Sequence, residues 1–248
     1  MSGAPRRRPV PDELFGGRLK GCYFLDLEIA AVVDRSPQVR AITFRSPDLL
    51  GFEWKPGQDL MLEVPGMDSV RRRYTIRRSD PREGTVDIEV VLHGDGPFSR
   101  WAANATVGDH IEGIGPRGVI TVRPDARHHL FVADQSAVPA TFAMLEALPA
   151  GTFATAVLVA DKDLVASEPS EFAADVTIDV VGPGEVTEHL RAVTIGDGTV
   201  AYVNGERSLV RDAVDVLTAR GLSSDAIASK AYWRRDQANA PHGEPARD

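Results

Sequence analysis

The sequence predicts two domains, an antiparallel β-barrel followed by a doubly wound α/β domain. Three observations carry that reading. From about residue 22 to residue 123, short runs of strand character are separated by glycine and proline signals. After Arg123-Pro124-Asp125, strand and helix patterns alternate instead. Within that second half, Phe153 to Val159 is a continuous apolar run, as in a strand buried on both faces of a parallel sheet. The expected organisation is a flexible tail over residues 1–20, the barrel over 21–124, the α/β domain over 125–235 and a second tail over 236–248.

In the first half the candidate strands are Asp26 to Val33, Val39 to Arg45, Asp59 to Val64, Arg72 to Arg77, Thr85 to His93 and His110 to Ile114. Breaks fall at Pro37, Pro47, Pro56-Gly57, Pro65-Gly66 and Pro81 to Gly84. One helix, Phe98 to about Ala105, interrupts the series, and short strands with a single helix suit a small barrel. Gly108-Asp109 opens the last strand, and Gly115-Pro116-Arg117-Gly118 closes the domain with a turn that glycine permits.

In the second half, His128 to Ala133 is an apolar strand and Ala137 to Leu148 has helical spacing through Phe142, Leu145 and Leu148. Val176 to Val181 and Thr199 to Val203 repeat the strand character, with weaker helices near Pro169 to Ala174 and Val186 to Val193. Arg207 to Ala219 is the clearest helix: Leu209, Val210, Ala213, Val214 and Leu217 share a face, and Gly221 is placed to end it. Ile227 to Trp233 is the last strand.

Composition narrows the function. A net charge of −8 opposes general nucleic-acid binding. One cysteine, Cys22, allows neither an intramolecular disulfide nor an iron–sulfur cluster. The longest apolar runs are far short of the roughly 20 residues of a membrane span. Residues 1–17 carry Arg6, Arg7 and Arg8 without an apolar segment, so no signal peptide is read there and a cytoplasmic protein is expected.

The chemistry concentrates in Arg72-Arg73-Tyr74-Thr75-Ile76-Arg77 and in the stretch from Val91 to Trp101. As a strand, the first places Arg72 and Tyr74 on one face and Thr75 and Arg77 on the other. An Arg beside a Tyr suits a pyrophosphate and an aromatic ring system. The second breaks at Gly94 and Gly96 and restarts as a helix with Pro97 in its first turn, whose unpaired N–H groups form an anion site. Each alone also fits a charged edge strand or an ordinary turn; about twenty residues apart and in this order, they favour a flavin dinucleotide.

Arg72-x-Tyr74-Thr75 matches the R-x-Y-[ST] flavin motif of the ferredoxin-reductase superfamily. Together with Arg77, Leu92-His93-Gly94, Gly96-Pro97, Trp101-Ala102, Gly108-Asp109, Gly115 to Gly118, Asp134 to Ala140 and the closing Ala231-Tyr232-Trp233-Arg234, the chain resembles the siderophore-interacting proteins, FAD-binding ferric-siderophore reductases. Trp54-Lys55-Pro56-Gly57-Gln58 resembles the tight turn into a barrel strand of flavin reductases. The resemblance implies a flavin-binding barrel and a nicotinamide-binding α/β domain. It implies FAD contacts along Arg72, Tyr74, Thr75, Ile76 and Arg77, and along Val91, His93, Gly94, Gly96, Pro97, Phe98 and Ser99. Arg72 would pair with the pyrophosphate, Tyr74 would flank the ring or ribityl chain, and Thr75 would reach the flavin's reactive edge.

No G-x-G-x-x-G follows the first strand of the α/β half. Asp134-Gln135-Ser136 stands there, where the resembling family more often reads Asp-Glu-Thr; Asp134 and Ser136 serve either a nucleotide or simply a helix cap. Asn204-Gly205-Glu206 lies at a strand-to-helix junction on the carboxyl edge of the sheet, where such folds bind ligands. By resemblance Gly205 and Glu206 approach the nicotinamide; a capping turn is the plainer reading. Tyr232 and Trp233 either wall the substrate side or pack between domains. Residues 67–82 hold six arginines against Asp68 and Asp80, a local balance of +4. Arg71, Arg234 and Arg235 are taken as a rim for an anionic iron chelate, Arg78 and Arg82 as solvated charge.

Two functions from different classes follow. The first is FAD-dependent reduction of a ferric siderophore with electrons from NADH, NADPH or ferredoxin, with a flavin reductase for another acceptor as its rival. No side chain is needed as nucleophile, acid or resident metal ligand, because the cofactor carries the chemistry. The second is a non-catalytic siderophore- or flavin-binding protein, motivated by Gln135 and the missing glycine fingerprint.

Overall fold

A computed structural model describes residues 7–17, 19–67, 70–92, 96–160 and 171–235. The chain divides into two units, Met1–Thr121 and Val122–Asp248.

The first unit is an antiparallel sheet of β1 (Arg8–Pro9), β2 (Tyr23–Ser36), β3 (Val39–Arg45), β4 (Asp59–Glu63), β5 (Arg71–Thr75), β6 (Arg78–Asp80), β7 (Thr85–Val91) and β8 (His110–Arg117), with helix α1 (Pro97–Asn104) between β7 and β8. The order is β5-β4-β8-β2-β3-β7-β6, with β1 added to β2. The two ends of that path, β5 and β6, follow each other in the chain across Ile76 and Arg77. Here the Ile76 N–H donates to Gln58 O at 2.9 Å, ahead of β4, and the Arg77 N–H donates to Asp87 O of β7 at 2.8 Å. The sheet is therefore rolled and closed by two residues, both buried.

The single strand expected over Arg72 to Arg77 is thus corrected to two, because the chain must leave one neighbour and join another to close the barrel. The expected alternation survives up to Thr75. Arg72 and Tyr74 stand opposite Leu62 and Leu60 on the core side; Arg71, Arg73 and Thr75 stand opposite Glu63, Met61 and Asp59 on the other. The last strand also runs on to Arg117, so Gly115 lies inside it rather than in a closing turn. A Cβ there would fall 2.4 Å from Leu60 Cδ2, so glycine leaves room for the Leu60 side chain of the neighbouring strand β4.

The reading of residues 1–20 as a flexible tail is corrected for the part described. Arg8 and Pro9 pair with Phe24 and Tyr23, and Val10, Leu19, Cys22 and Ile114 form a small core of their own. Arg7 lies 5.5 Å from the Tyr23 ring and 5.7 Å from that of Phe52, and it donates to the carbonyls of Asp48 and Leu50. Isolated apolar residues among arginines gave no periodic signal for this packing.

The second unit is a parallel sheet of β9 (His128–Asp134), β10 (Phe153–Val159), β11 (Asp175–Val181), β12 (Thr199–Glu206) and β13 (Ile227–Trp233), ordered β11-β10-β9-β12-β13. Helices α2 (Val138–Glu146), α3 (Val186–Ala192) and α4 (Arg207–Ala219) connect them. The chain steps from β9 outward through β10 and β11 and returns on the other side, so the strand order reverses between β9 and β12. On one face Leu130, Val132, Ala201 and Val203 pack with Leu190, Val210, Ala213 and Leu217. On the other, the rings of His129, Phe131 and Tyr202 stack.

Helix α4 has the expected limits. Its C-terminus closes with the Gly221 N–H on Thr218 O and the Leu222 N–H on Leu217 O, the paired bonds of a glycine-ended helix, with Gly221 at φ 95°. The helix expected over Pro169 to Ala174 is absent from its described part, residues 171–174, and the rest lies outside the described residues. No described helix is long and apolar enough to cross a membrane.

At the amino edge of this sheet, Thr199 Oγ1 donates to Gly196 O and accepts from Gly196 N, so it can only accept from His128 Nδ1 at 3.0 Å. The other ring nitrogen of His128, Nε2, lies 3.2 Å from Thr155 Oγ1. Burial lowers the pKa of His128 and of His129, for which a backbone bond to Ala126 partly opposes the shift. A lowered folded-state pKa means the unfolded chain binds more protons, so stability falls as pH drops below the ordinary histidine value of about 6.5. Urea unfolding at several pH values between about 7 and 5 should show this loss, reduced in His128→Gln/His129→Phe. An unchanged slope in the double variant would contradict the assignment.

Candidate functional site

In the first unit the two motif stretches meet. Tyr74 on β5 contacts Phe98 in the first turn of α1, ring centres 4.3 Å apart, and Phe98 meets Trp101 edge-on at 4.9 Å. Phe98 and Ala102 are buried and Trp101 packs beside them, seating α1 on the barrel. At the start of α1, Gly96 is the capping residue and has no side chain to bond the first turn, and Pro97 has no N–H. The N–H groups of Phe98 and Ser99 head the helix, where a helix attracts anions.

Arg72 donates from Nη1 to its neighbour's carbonyl, Arg71 O, at 2.8 Å. Burial pushes the Tyr74 phenol far up, with the Arg72 charge opposing, so the phenol stays protonated at any working pH. Thr75 and Arg77 are buried beside it. The Arg72 cation and the Tyr74 phenol share the core-side face of β5, where Tyr74 meets the start of α1, and are groups suited to a diphosphate joined to an aromatic ring; Thr75 lies on the opposite face. Val91 ends β7 at half-buried depth; His93 and Gly94 lie outside the described residues.

The local balance of +4 is corrected as a picture of open charge. Arg71 is held by Glu63 at 2.5 Å, its directly opposed cross-strand neighbour. Arg73 makes a two-pronged bond to Asp59, Arg73 Nε to Oδ1 at 2.9 Å and Nη2 to Oδ2. Arg71 therefore shares its charge with Glu63. Arg234 and Arg235 are exposed after β13.

The second unit gathers the other expected residues around one carboxylate. Asp134, at the end of β9, accepts at Oδ1 from the Ser136 N–H at 2.9 Å and the Ser136 hydroxyl at 2.6 Å. Its Oδ2 accepts from the Glu206 N–H at 2.7 Å and Trp233 Nε1 at 2.8 Å. Glu206 in turn caps α4, accepting at Oε2 from the N–H groups of Ser208 and Leu209, while Oε1 accepts from the Arg235 N–H at 3.3 Å. These bonds hold the Glu206 carboxyl below its usual pKa against the opposing pull of burial.

Gly205 sits at φ 141°, and a Cβ there would lie 2.6 Å from Asp134 Cγ. Both carboxylates are thus engaged by protein donors. They set the shape of the strand ends rather than presenting bare acceptors. The two ends that they shape, β9 and β12, flank the reversal of strand order, where open α/β sheets bind ligands. Asn204 is buried there and its Oδ1 has no partner among the described residues. Tyr232 is half-buried on β13. The Trp233–Asp134 bond spans 99 positions and left no local mark in the sequence.

A family model described as the siderophore-interacting FAD-binding domain matches residues 61–120, and one described as siderophore-interacting protein matches residues 126–236. The chain is 32% identical over 183 residues to an uncharacterized protein of Mycobacterium tuberculosis, covering 66% of this chain and 65% of that protein. It is 31% identical over 136 residues to the ferric vibriobactin reductase ViuB of Vibrio cholerae, covering 46% of this chain and 50% of the reductase. The chain thus spans less than two thirds of these relatives' length. A solved siderophore utilization protein from T. fusca is similar in structure with a TM-score of 0.74 at 25% identity, covering 89% of this chain and 96% of that one.

Asp134→Ala would leave the buried Glu206 N–H and the Trp233 indole without an acceptor. The expected loss is about 2–4 kcal/mol in the unfolding of the second unit, with a changed Trp233 emission. Gly205→Ala should cost a similar roughly 1–3 kcal/mol through strain and crowding. Urea titration followed by fluorescence checks both; a neutral Gly205→Ala would mean that the strand end relaxes freely.

Proposed function

The chain belongs to the siderophore-interacting protein family, and from that membership we propose that it is a flavin-dependent reductase that releases iron from ferric siderophores, with FAD as its cofactor and NADH or NADPH as electron donor. The observation that carries the reading is the Tyr74–Phe98 contact, which brings the motif strand against the glycine-headed start of α1 within one unit.

When bound, FAD accepts an electron pair from a nicotinamide and passes electrons singly to an acceptor. The rest of the assignment concerns the chain's own groups. Arg72 and the N–H groups of Phe98 and Ser99 would hold the diphosphate, charge against charge. Tyr74, kept neutral by its burial, would offer a phenol hydrogen and a ring face. Thr75 would donate its hydroxyl toward the ring system.

In the second unit, the reversal of strand order between β9 and β12 supports a nicotinamide dinucleotide at the strand ends, where open α/β sheets bind ligands. Gly205 keeps that edge free of a side chain, and Asp134 fixes its backbone.

The substrate would be an anionic chelate holding Fe(III) through hard oxygen donors, a hold that weakens on reduction to Fe(II). Arg234 and Arg235 are the exposed cations proposed to draw it in, in the cytoplasm.

The purified protein should be yellow and release FAD on heating. Arg72→Ala should weaken FAD binding by about 1.5–3 kcal/mol. Arg71→Ala, on the opposite strand face and engaged by Glu63, should weaken it far less. Without oxygen, NADH or NADPH should bleach the flavin and a ferric siderophore should restore its colour. A colourless protein that ignores added FAD would sink the reading; bleaching only by reduced ferredoxin would replace the donor.

A further inference from the structure

We propose that Arg40 is a positioning residue for the flavin dinucleotide, acting through helix α1 by holding the end of the helix away from the ligand. The inference rests on the flavin reading above and extends it to a residue outside both motif stretches. Arg40 lies on β3, directly opposite Asp34 on β2. Its Nε donates to Asp34 Oδ1 at 2.6 Å and its Nη2 to Oδ2 at 3.1 Å, which fixes the plane of the guanidinium. The remaining nitrogen, Nη1, then donates to the carbonyls of Ala102 at 2.9 Å and Ala103 at 2.7 Å. Those are among the last four carbonyls of α1, and Ala102 O also accepts a long bond of 3.4 Å from the Ala105 N–H.

The arrangement is more than a surface ion pair. Asp34 is largely exposed, at 59%, whereas the Arg40 side chain is only 17% exposed, covered where it meets the helix. The same hairpin also grips the approach to the helix: the Leu92 N–H donates to Gln38 O at 2.7 Å. Thus the β2–β3 hairpin holds the chain just before the 93–95 segment and again at the end of α1. Between these points the helix packs on the barrel through Phe98, Trp101 and Ala102. Eight residues form a rod of about 12 Å, so a shift at its end moves its start. The cation also complements the negative end of the helix dipole, while the opposite, positive end is the one offered to the diphosphate.

Holding the phosphate end of the ligand, and not its ring, gives the proposal a distinctive consequence. Apoprotein of the full chain, in wild-type, Arg40→Ala, Arg40→Lys and Asp34→Asn forms, should be titrated with FAD and with riboflavin, which has no phosphate. Arg40→Ala should weaken FAD by about 5- to 30-fold while riboflavin changes less than about two-fold. Arg40→Lys, which keeps the charge but not the fork, should recover part of the loss, and Asp34→Asn should fall between. The phosphorus NMR shifts of bound FAD should move in Arg40→Ala and return toward wild type in Arg40→Lys. Equal weakening of both flavins, or unchanged phosphorus shifts, would overturn the positioning role and leave Arg40 a general stabiliser. If Arg40→Ala does not fold, the lysine and asparagine variants decide by the same ratio. Wild-type protein that binds no FAD would overturn the flavin reading and this inference together; wild-type binding with an unaltered Arg40→Ala affinity would overturn this inference alone.

Discussion

Closing the antiparallel sheet of the first unit requires the chain to leave β4 and join β7 within two residues. Ile76 and Arg77 perform that transfer, each with its backbone N–H on a carbonyl of a different neighbour. Much of the proposed flavin site follows from this constraint. Because the chain crosses at Ile76, Arg72 and Tyr74 end the strand on the core side, where Tyr74 reaches Phe98. Thr75 and Arg77 are buried at the crossing itself, so the polar groups of the motif sit where the backbone has least freedom. A binding motif placed on a closure seam is rigid without needing extra contacts.

The second unit is governed by a different economy of polar groups. Parallel strands end together at one edge and leave backbone donors there that need partners. Asp134 satisfies donors from its own following turn, from the end of β12 and from the indole of Trp233. Glu206 repeats the device for α4 and for the chain after β13. With both carboxylates so engaged, the edge keeps its shape without a ligand, and Gly205 must lack a side chain because the Asp134 carboxyl occupies the space. The departure at Gln135 leaves this network intact, since the bonds run through Asp134 and Ser136.

Charge is distributed by the same logic. The chain is acidic overall, with a net charge of −8, and its arginine-rich stretch is folded against carboxylates across the sheet. Arg71 meets Glu63, Arg73 meets Asp59, and Arg40 meets Asp34. Pairing of this kind turns arginines from surface charge into fixed geometry. It also explains how so many arginines can lie near a proposed anion site while only some of them serve it.

The sequence by itself determined the elements whose signal is local. Val39–Arg45, Phe153–Val159, Arg207–Ala219 and Ile227–Trp233 were readable to the residue, because side-chain period, apolar continuity and terminal glycine all act within a few positions. The two-part architecture and the flavin motif were readable for the same reason, and residues 61–120 match the corresponding FAD-binding family model. The tertiary structure alone decided the split of Arg72–Arg77 into two strands, since that stretch alternates smoothly and contains no turn residue. It alone placed Arg7 against Tyr23 and Phe52, Arg40 on the end of α1, and Trp233 on Asp134. Those contacts join residues that lie from 16 to 99 positions apart. They depend on which strands become neighbours, and periodicity, which reports only the face a residue occupies, carries no record of the partner it will meet there.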